Sequence, residues 1–349
     1  MKFLTSFPKT LLGLVLSSSL IFPLVTSADS SSKYSSSNLR IIYYHSTLNE
    51  RGKHISLLPL INNSSYIVVT HLMLASLVLF PEGNAEEGLN IWTGGWNTPI
   101  NASNLTDFWS DKAQLQKHGI KVLGSMLGSY PSLQVANDST WEKEYGYLRD
   151  GLQAHSFDGI DLDIEDANPP SPRSIHLNNT IRLIDRIRKD FGHDFLITLS
   201  PVASCLSSKC SSQDCISGFN YTALEQKRGK DIAFYNAQFY NGFGEVRTPE
   251  CYEDIVSNGF IPEKVVMGVP SSPYSTECSG WVPWDMLRKT LKTLKTKYPT
   301  FGGVFGWEYF DSEPGGQVAP WEWSQLMAQW LGVSNETDVK PRNETACSD

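Results

Sequence analysis

Acidic and apolar residues alternate through Asp158-Gly159-Ile160-Asp161-Leu162-Asp163-Ile164-Glu165-Asp166, a stretch that otherwise reads as a buried strand. Successive side chains of a strand point to opposite faces, so Asp161, Asp163 and Glu165 share one face and Ile160, Leu162 and Ile164 the other. Three carboxylates on one strand face need water, a cation or a polar ligand in front of them, while the opposite face needs apolar cover. A parallel barrel meets both needs. One face of each strand looks into the barrel, the other into a ring of helices, and active sites gather at the carboxyl ends of the strands. Glu165 falls at such an end. A calcium loop would place oxygen ligands around a central glycine turn, whereas here apolar residues fill the gaps and Gly159 comes too early. An edge strand would not carry Phe157, Ile160, Leu162 and Ile164 on its second face.

The chain opens with Lys2 and Lys9, an apolar run from Leu11 to Val25 and the small-residue exit Thr26-Ser27-Ala28, the pattern of a secretory signal peptide over residues 1–28. The run is interrupted at Ser17 to Ser19 and at Pro23 and is short for a membrane span. A Ser-rich leader, 29–38, is too polar to order itself. Secretion is consistent with nine Asn-x-Ser/Thr sequons, at Asn62, Asn63, Asn101, Asn104, Asn137, Asn178, Asn220, Asn335 and Asn343. It is also consistent with six cysteines that lack zinc-site spacing and read as disulfides. Among the possible pairings, Cys251 with Cys278 and one bridge within 205–215 are expected. The net charge of −8 and the absence of long basic runs argue against nucleic acid and anionic membranes as partners. No metal or other cofactor is expected, and the protein is expected to be a monomer.

From Leu39 onward strand-like and helix-like segments alternate. Strands are expected at Leu39 to Tyr44, within Ile67 to Phe80, at Ile120 to Met126, Phe157 to Glu165, Phe195 to Ser200, Ile232 to Tyr240, Lys264 to Val269 and Gly302 to Tyr309. Between them the helical period predicts helices at Thr106 to His118, from a Ser139 or Thr140 cap, from Ser174 to a Gly192 stop, and over Trp284, Leu287, Leu291, Leu294 and Tyr298. Pro320 to Leu331 closes the set. A loop from Pro81 to about Asn104, with Trp92, Gly94, Gly95 and Trp96, is long enough to suggest a binding segment or a surface excursion. Eight strands alternating with helices predict one α/β domain over 39–331, a (β/α)8 TIM barrel. Residues 332–349 form a polar tail.

The pattern from Asp158 to Glu165, Asp-x-x-Asp-x-Asp-x-Glu, resembles the signature of glycoside hydrolase family 18, which holds chitinases and endo-β-N-acetylglucosaminidases. Gln238-Phe239-Tyr240-Asn241 and Gly303-Val304-Phe305-Gly306-Trp307 extend the likeness. So do Thr70-His71-Leu72, Phe195 to Leu199, Gln238 to Gly244, Gly306 to Phe310 and Pro320-Trp321-Glu322-Trp323, which resemble the secreted fungal endo-β-N-acetylglucosaminidases of the Endo T type. The chain departs from chitinases at Ser125-Met126-Leu127-Gly128 and at Asp166. The short link from Val269 to Pro283 leaves no room for the insertion domain that deepens the cleft of larger chitinases.

The resemblance implies a retaining, substrate-assisted hydrolysis in which the N-acetyl group of the substrate attacks the anomeric carbon. Glu165 is then the acid and later the base, with a pKa expected to be raised by its acidic neighbours. Asp163 holds the acetamido group, and Asp161, deeper, shares a proton with Asp163. Tyr240 donates to the acetamido oxygen, Gln238 and Asn241 complete the polar lining, Trp307 floors the sugar ring and Tyr43 lines the site from the first strand. The expected substrates are N-glycans on glycoproteins, cut in their chitobiose core, or chitooligosaccharides. A non-catalytic chitin-binding lectin is the remaining alternative.

Overall fold

The computed structural model describes residues 39–46, 53–63, 67–93, 96–128, 137–165, 174–209, 215–276, 278–334, 339–341 and 347. The expected signal peptide and leader, Asp166 and the sequons at Asn335 and Asn343 lie outside them.

Ten strands run β1 Arg40–Ser46, β2 His71–Phe80, β3 Gly88–Trp92, β4 Asn97–Pro99, β5 Lys121–Gly128, β6 Gly159–Ile164, β7 Leu196–Leu199, β8 Phe234–Gln238, β9 Val265–Pro270 and β10 Gly303–Trp307. All but β3 and β4 pair in parallel, and β1 closes the ring by pairing with both β2 and β10. Among the described residues eight α-helices follow the barrel strands: α1 Pro59–Asn62, α2 Thr106–Lys117, α3 Asp138–Ala154, α4 Ser174–Phe191, α5 Tyr221–Arg228, α6 Glu250–Ser257, α7 Trp284–Lys297 and α8 Glu322–Trp330. The fold is the expected (β/α)8 barrel.

Strand parity divides the core in two. Outward side chains such as Ile41, Leu72, Ile160, Leu162, Ile197 and Val304 join the helices in one large apolar layer. Inward ones, among them Ile42, Met73, Leu123, Phe234, Val266 and Phe305, fill the barrel and form an apolar plug beneath the polar residues. The plug is tightly fitted. A Cβ added at Gly268 of β9 would come 2.0 Å from the Phe305 ring, so only glycine leaves room for that ring.

Several boundaries differ from expectation. Asn137, not Ser139 or Thr140, caps α3. Its backbone is extended and its Oδ1 accepts from the Thr140 N–H at 3.0 Å and from the Ser139 hydroxyl at 2.7 Å. The segment expected as a loop from Pro81 contains a hairpin. Here β3 pairs antiparallel with the outer end of β2, from Leu77 opposite Ile91 to Phe80 opposite Gly88, and β4 pairs back onto β3. The hairpin rests on α3 outside the barrel, where Gly151 leaves space for Leu89. Trp92 and Trp96 are exposed at its turn.

The bridge Cys205–Cys215 lies within the expected loop. The expected pairing of Cys251 with Cys278 is incorrect. Cys278 bonds Cys347, whose Cα lies 5.8 Å away, within bridging distance. Among the described residues Cys251, on α6, is in no disulfide.

Candidate active site

Register places the acids. Ser125 on β5 stands beside Asp161 on β6, and Asp161 beside Thr198 on β7, so two hydroxyls flank one carboxylate at the same level of the barrel. Asp161 is completely buried and accepts five hydrogen bonds. Tyr44 donates at 2.7 Å, Ser125 at 3.0 Å and Ser200 at 2.6 Å to Oδ2, while Thr198 at 2.5 Å and Asn236 at 3.1 Å donate to Oδ1. The donors come from β1, β5, β7 and β8, and Ser200 just past β7, so the barrel wall itself compensates the buried charge.

One step nearer the mouth, Asp163 is 7% exposed and Leu127 stands opposite it in register. Burial, first, and then the charges of Glu165 and Asp161 push the Asp163 carboxyl well above the usual carboxylate range, and a hydrogen bond with Glu165 adds to the effect. Both oxygens of Asp161 are engaged by donors.

Glu165 follows the last residue of β6 and is partly exposed. Gln238, the last residue of β8, ties the pair together. Its Nε2 lies 3.1 Å from Asp163 Oδ1, 3.2 Å from Glu165 Oε1 and 2.9 Å from the Ser200 carbonyl. Tyr240 faces the same acids from two residues further along, 5% exposed. Burial, followed by the charges of Asp163, Glu165, Asp161 and Glu308, drives its phenol pKa well up, so the hydroxyl remains a donor. Among the described residues that hydroxyl has no protein partner and is available to a ligand. Behind it, the left-handed Gly280 (φ 87°) lets the loop after β9 pass. A Cβ there would come 2.5 Å from the Tyr240 Cα.

Trp307 ends β10, half-buried, with its ring 5.9 Å from that of Tyr44. Asn241 is exposed at the rim in a left-handed conformation (φ 54°), its N–H donating to the Ser279 carbonyl. Tyr43 does not line the site. Its odd parity on β1 turns it outward, where its hydroxyl donates to the Pro320 carbonyl at 2.7 Å and accepts from the Ser324 N–H at 3.0 Å, between the rings of Tyr309 and Trp323. The residue that reaches the acids from β1 is Tyr44. Its phenol pKa is raised well above normal by burial and then by the charges of Asp161 and Asp163.

Tyr44, Ser125, Thr198, Ser200 and Asn236 are the site residues that sequence reasoning missed. Both faces of β1 are apolar, so parity alone does not choose between its two tyrosines, and the hydroxyl set becomes visible only through inter-strand register. Among the described residues no group of three or more His, Cys, Asp or Glu side chains is arranged to hold a metal ion.

No family model matches the chain. It is similar over 84% of its length to the solved structure of a fungal endo-β-N-acetylglucosaminidase from glycosyl hydrolase family 18, with 38% identity, a TM-score of 0.74 and 98% of that chain covered. It is similar to the structure of chitinase ChiC from Aspergillus fumigatus, at 36% identity and a TM-score of 0.70, over 85% of this chain and 100% of that one. It also matches chitinase Chi52 of Paenibacillus xylanexedens at 29% identity over 60% of this chain, spanning 46% of that longer protein.

Proposed function

Because the chain belongs to glycosyl hydrolase family 18, and is thus a glycosidase, we propose that it is an endo-β-N-acetylglucosaminidase that cuts the GlcNAc-β-1,4-GlcNAc core of N-linked glycans. The observation that carries this reading is Glu165 at the strand end, tied by the Gln238 amide to the buried Asp163, with the Tyr240 phenol close to the same acids. Three acids in file on one strand suit a reaction in which the substrate supplies its own nucleophile.

In this reading a GlcNAc ring lies over Trp307. Asp163 receives the acetamido N–H and Tyr240 donates to the acetamido oxygen, holding that oxygen at attack distance from the anomeric carbon. Glu165 gives its proton to the departing glycosidic oxygen. It then takes one from the water that opens the cyclic oxazolinium intermediate, and the anomeric configuration is retained. Asp161, held by its five donors, supplies fixed negative charge under Asp163 as positive charge grows on the oxazolinium.

The short segment from Ser271 to Pro283 between β9 and α7 supports the N-glycan substrate, because a shallow mouth admits a branched oligosaccharide still attached to protein. We take the protein to be a secreted monomer. The second reading, a chitinase, rests on the 36% identity to the Aspergillus fumigatus enzyme across its whole length. Initial rates on a high-mannose glycopeptide and on chitotetraose, measured side by side, test the choice. Release of the glycan from the glycopeptide at the higher kcat/KM is expected. Cleavage of chitotetraose alone moves the protein to the chitinases, and binding without cleavage of either moves it to the lectins.

A further inference from the structure

Outside the barrel, the β3–β4 hairpin and α3 face each other across a cleft of about 590 Å³ that none of the candidate active-site residues lines. Tyr147, Asp150 and Ala154, on one face of α3, form one wall, and Asn90 and Asn97 of the hairpin belong to the other. At the exit of the hairpin stands Asn101, which also lines the cleft and opens the sequon Asn101-Ala102-Ser103. The Ala102 N–H donates to the Pro99 carbonyl at 2.8 Å, so Asn101 is the third residue of a β-turn, and it is exposed. Its Oδ1 accepts from His155 Nε2 at 2.9 Å, and the His155 ring is itself held 4.0 Å from that of Trp109. Among the described residues Asn101 Nδ2, the atom that an N-glycan is joined to, has no protein partner.

The wall opposite α3 has an acceptor to fill. Asn97 donates through Nδ2 to Glu86 at 2.8 Å, while its Oδ1 is buried and has no partner among the described residues. An unpaired buried acceptor is unfavourable, and a small turn of that amide offers it to a sugar hydroxyl or acetamido N–H. The Tyr147 hydroxyl is engaged by Glu87, which leaves its ring as an apolar wall for the C–H side of a pyranose. We propose that Asn101 carries an N-linked glycan whose first N-acetylglucosamine lies in this cleft and fastens the hairpin to α3. In the attachment step Asn101 Nδ2 bonds the anomeric carbon of a polyprenyl-diphosphate-linked oligosaccharide. The bond from that carbon to the diphosphate oxygen breaks, the diphosphate leaves with the electron pair, and Nδ2 releases one proton. The inference rests on secretion of the chain and is independent of which glycosidic bond the enzyme cuts.

The test secretes the full chain, with its own leader, from a eukaryotic host and reads the peptide containing Asn101 by mass spectrometry with site-resolving fragmentation. An N-acetylhexosamine on Asn101, alone or extended, is expected. Failure of secretion, or an unmodified Asn101 in secreted protein, overturns the proposal. The seat is tested with Ser103→Ala, which removes the sequon while leaving Asn101 and its bond to His155 in place; Ser103 is exposed. Amide hydrogen exchange over β3, β4 and α3 is expected to be about ten-fold slower in the secreted native protein than in secreted Ser103→Ala, with the rest of the barrel unchanged. The same two proteins made in a bacterial periplasm, where neither is glycosylated, are expected to exchange alike. Equal exchange in the secreted pair, slowing spread over the whole barrel, or the same difference in the periplasmic pair overturns the seat.

Discussion

At Asp163 two demands meet: a carboxyl buried in a barrel must be neutral or compensated, and in the proposed mechanism the same group orients the acetamido beside Glu165. Donors surround Asp161, while burial and the charges of Glu165 and Asp161 push the Asp163 carboxyl well above the usual carboxylate range. An acid whose folded pKa is raised stabilises the fold below its unfolded pKa and loses that contribution as pH rises toward the folded value. Asp163→Asn is therefore expected to melt at a higher temperature than the native protein at pH 7, with the gap closing below about pH 4. Its turnover is expected to fall by roughly a hundred-fold, because the acetamido is no longer held. A variant that melts lower at pH 7 would contradict the raised pKa of Asp163.

His45 carries the opposite sign. It points outward from β1, fully buried, stacked on Phe108 and edge-on to Tyr309, and among the described residues neither ring nitrogen has a hydrogen-bond partner. Burial, and next the nearby His54, lower its pKa to about 3. A base held neutral in the fold gives full stability above its unfolded pKa of about 6.5 and loses it as pH falls from there toward the folded value. Between pH 7 and pH 5 this single residue is expected to cost about 2 kcal/mol, at about 1.4 kcal/mol per pH unit below 6.5. His45→Phe should remove that part of the pH dependence in urea unfolding. An unchanged slope would show that His45 does not remain neutral in the fold.

At the scale of elements, local chemistry explains where sequence reading held and where it slipped. The acidic strand was legible because its period of two is written in residue types, and α4 and α7 because their apolar positions follow the helical period. The start of α3 was misplaced because Asn137, Ser139 and Thr140 are all competent caps, and only the backbone turn selects among them. Asn137→Ala is expected to lower stability by about 1 kcal/mol, while Asn137→Asp, which keeps the capping oxygen, stays near the native value in thermal unfolding. Equal losses in both variants would assign the effect to something other than the cap. The long excursion after β2 concealed a hairpin, since its strands, β3 and β4, are short and its pairing with β2 is non-local.

For the whole molecule, eight strand signals made the barrel readable without coordinates, with Glu165 directly after the end of β6. The remainder depended on quantities that one strand does not carry. Whether Tyr43 or Tyr44 enters the barrel is decided by the register of β1 against β2 and β10. The hydroxyls around Asp161 become one set only when β5, β6 and β7 are laid side by side. The Cys278–Cys347 bridge likewise joins positions 69 residues apart that no local pattern connects.

The central claim is that Glu165 cuts the chitobiose core of an N-glycan. Intact-mass spectrometry of a high-mannose glycoprotein, after incubation at mildly acidic pH with the native protein or with Glu165→Gln, tests it most directly. The predicted result is a shift to the polypeptide bearing one residual N-acetylglucosamine per site with the native protein, and no shift with the variant. An unshifted mass with native protein that cleaves chitotetraose in parallel, or an equal shift with Glu165→Gln, would contradict it.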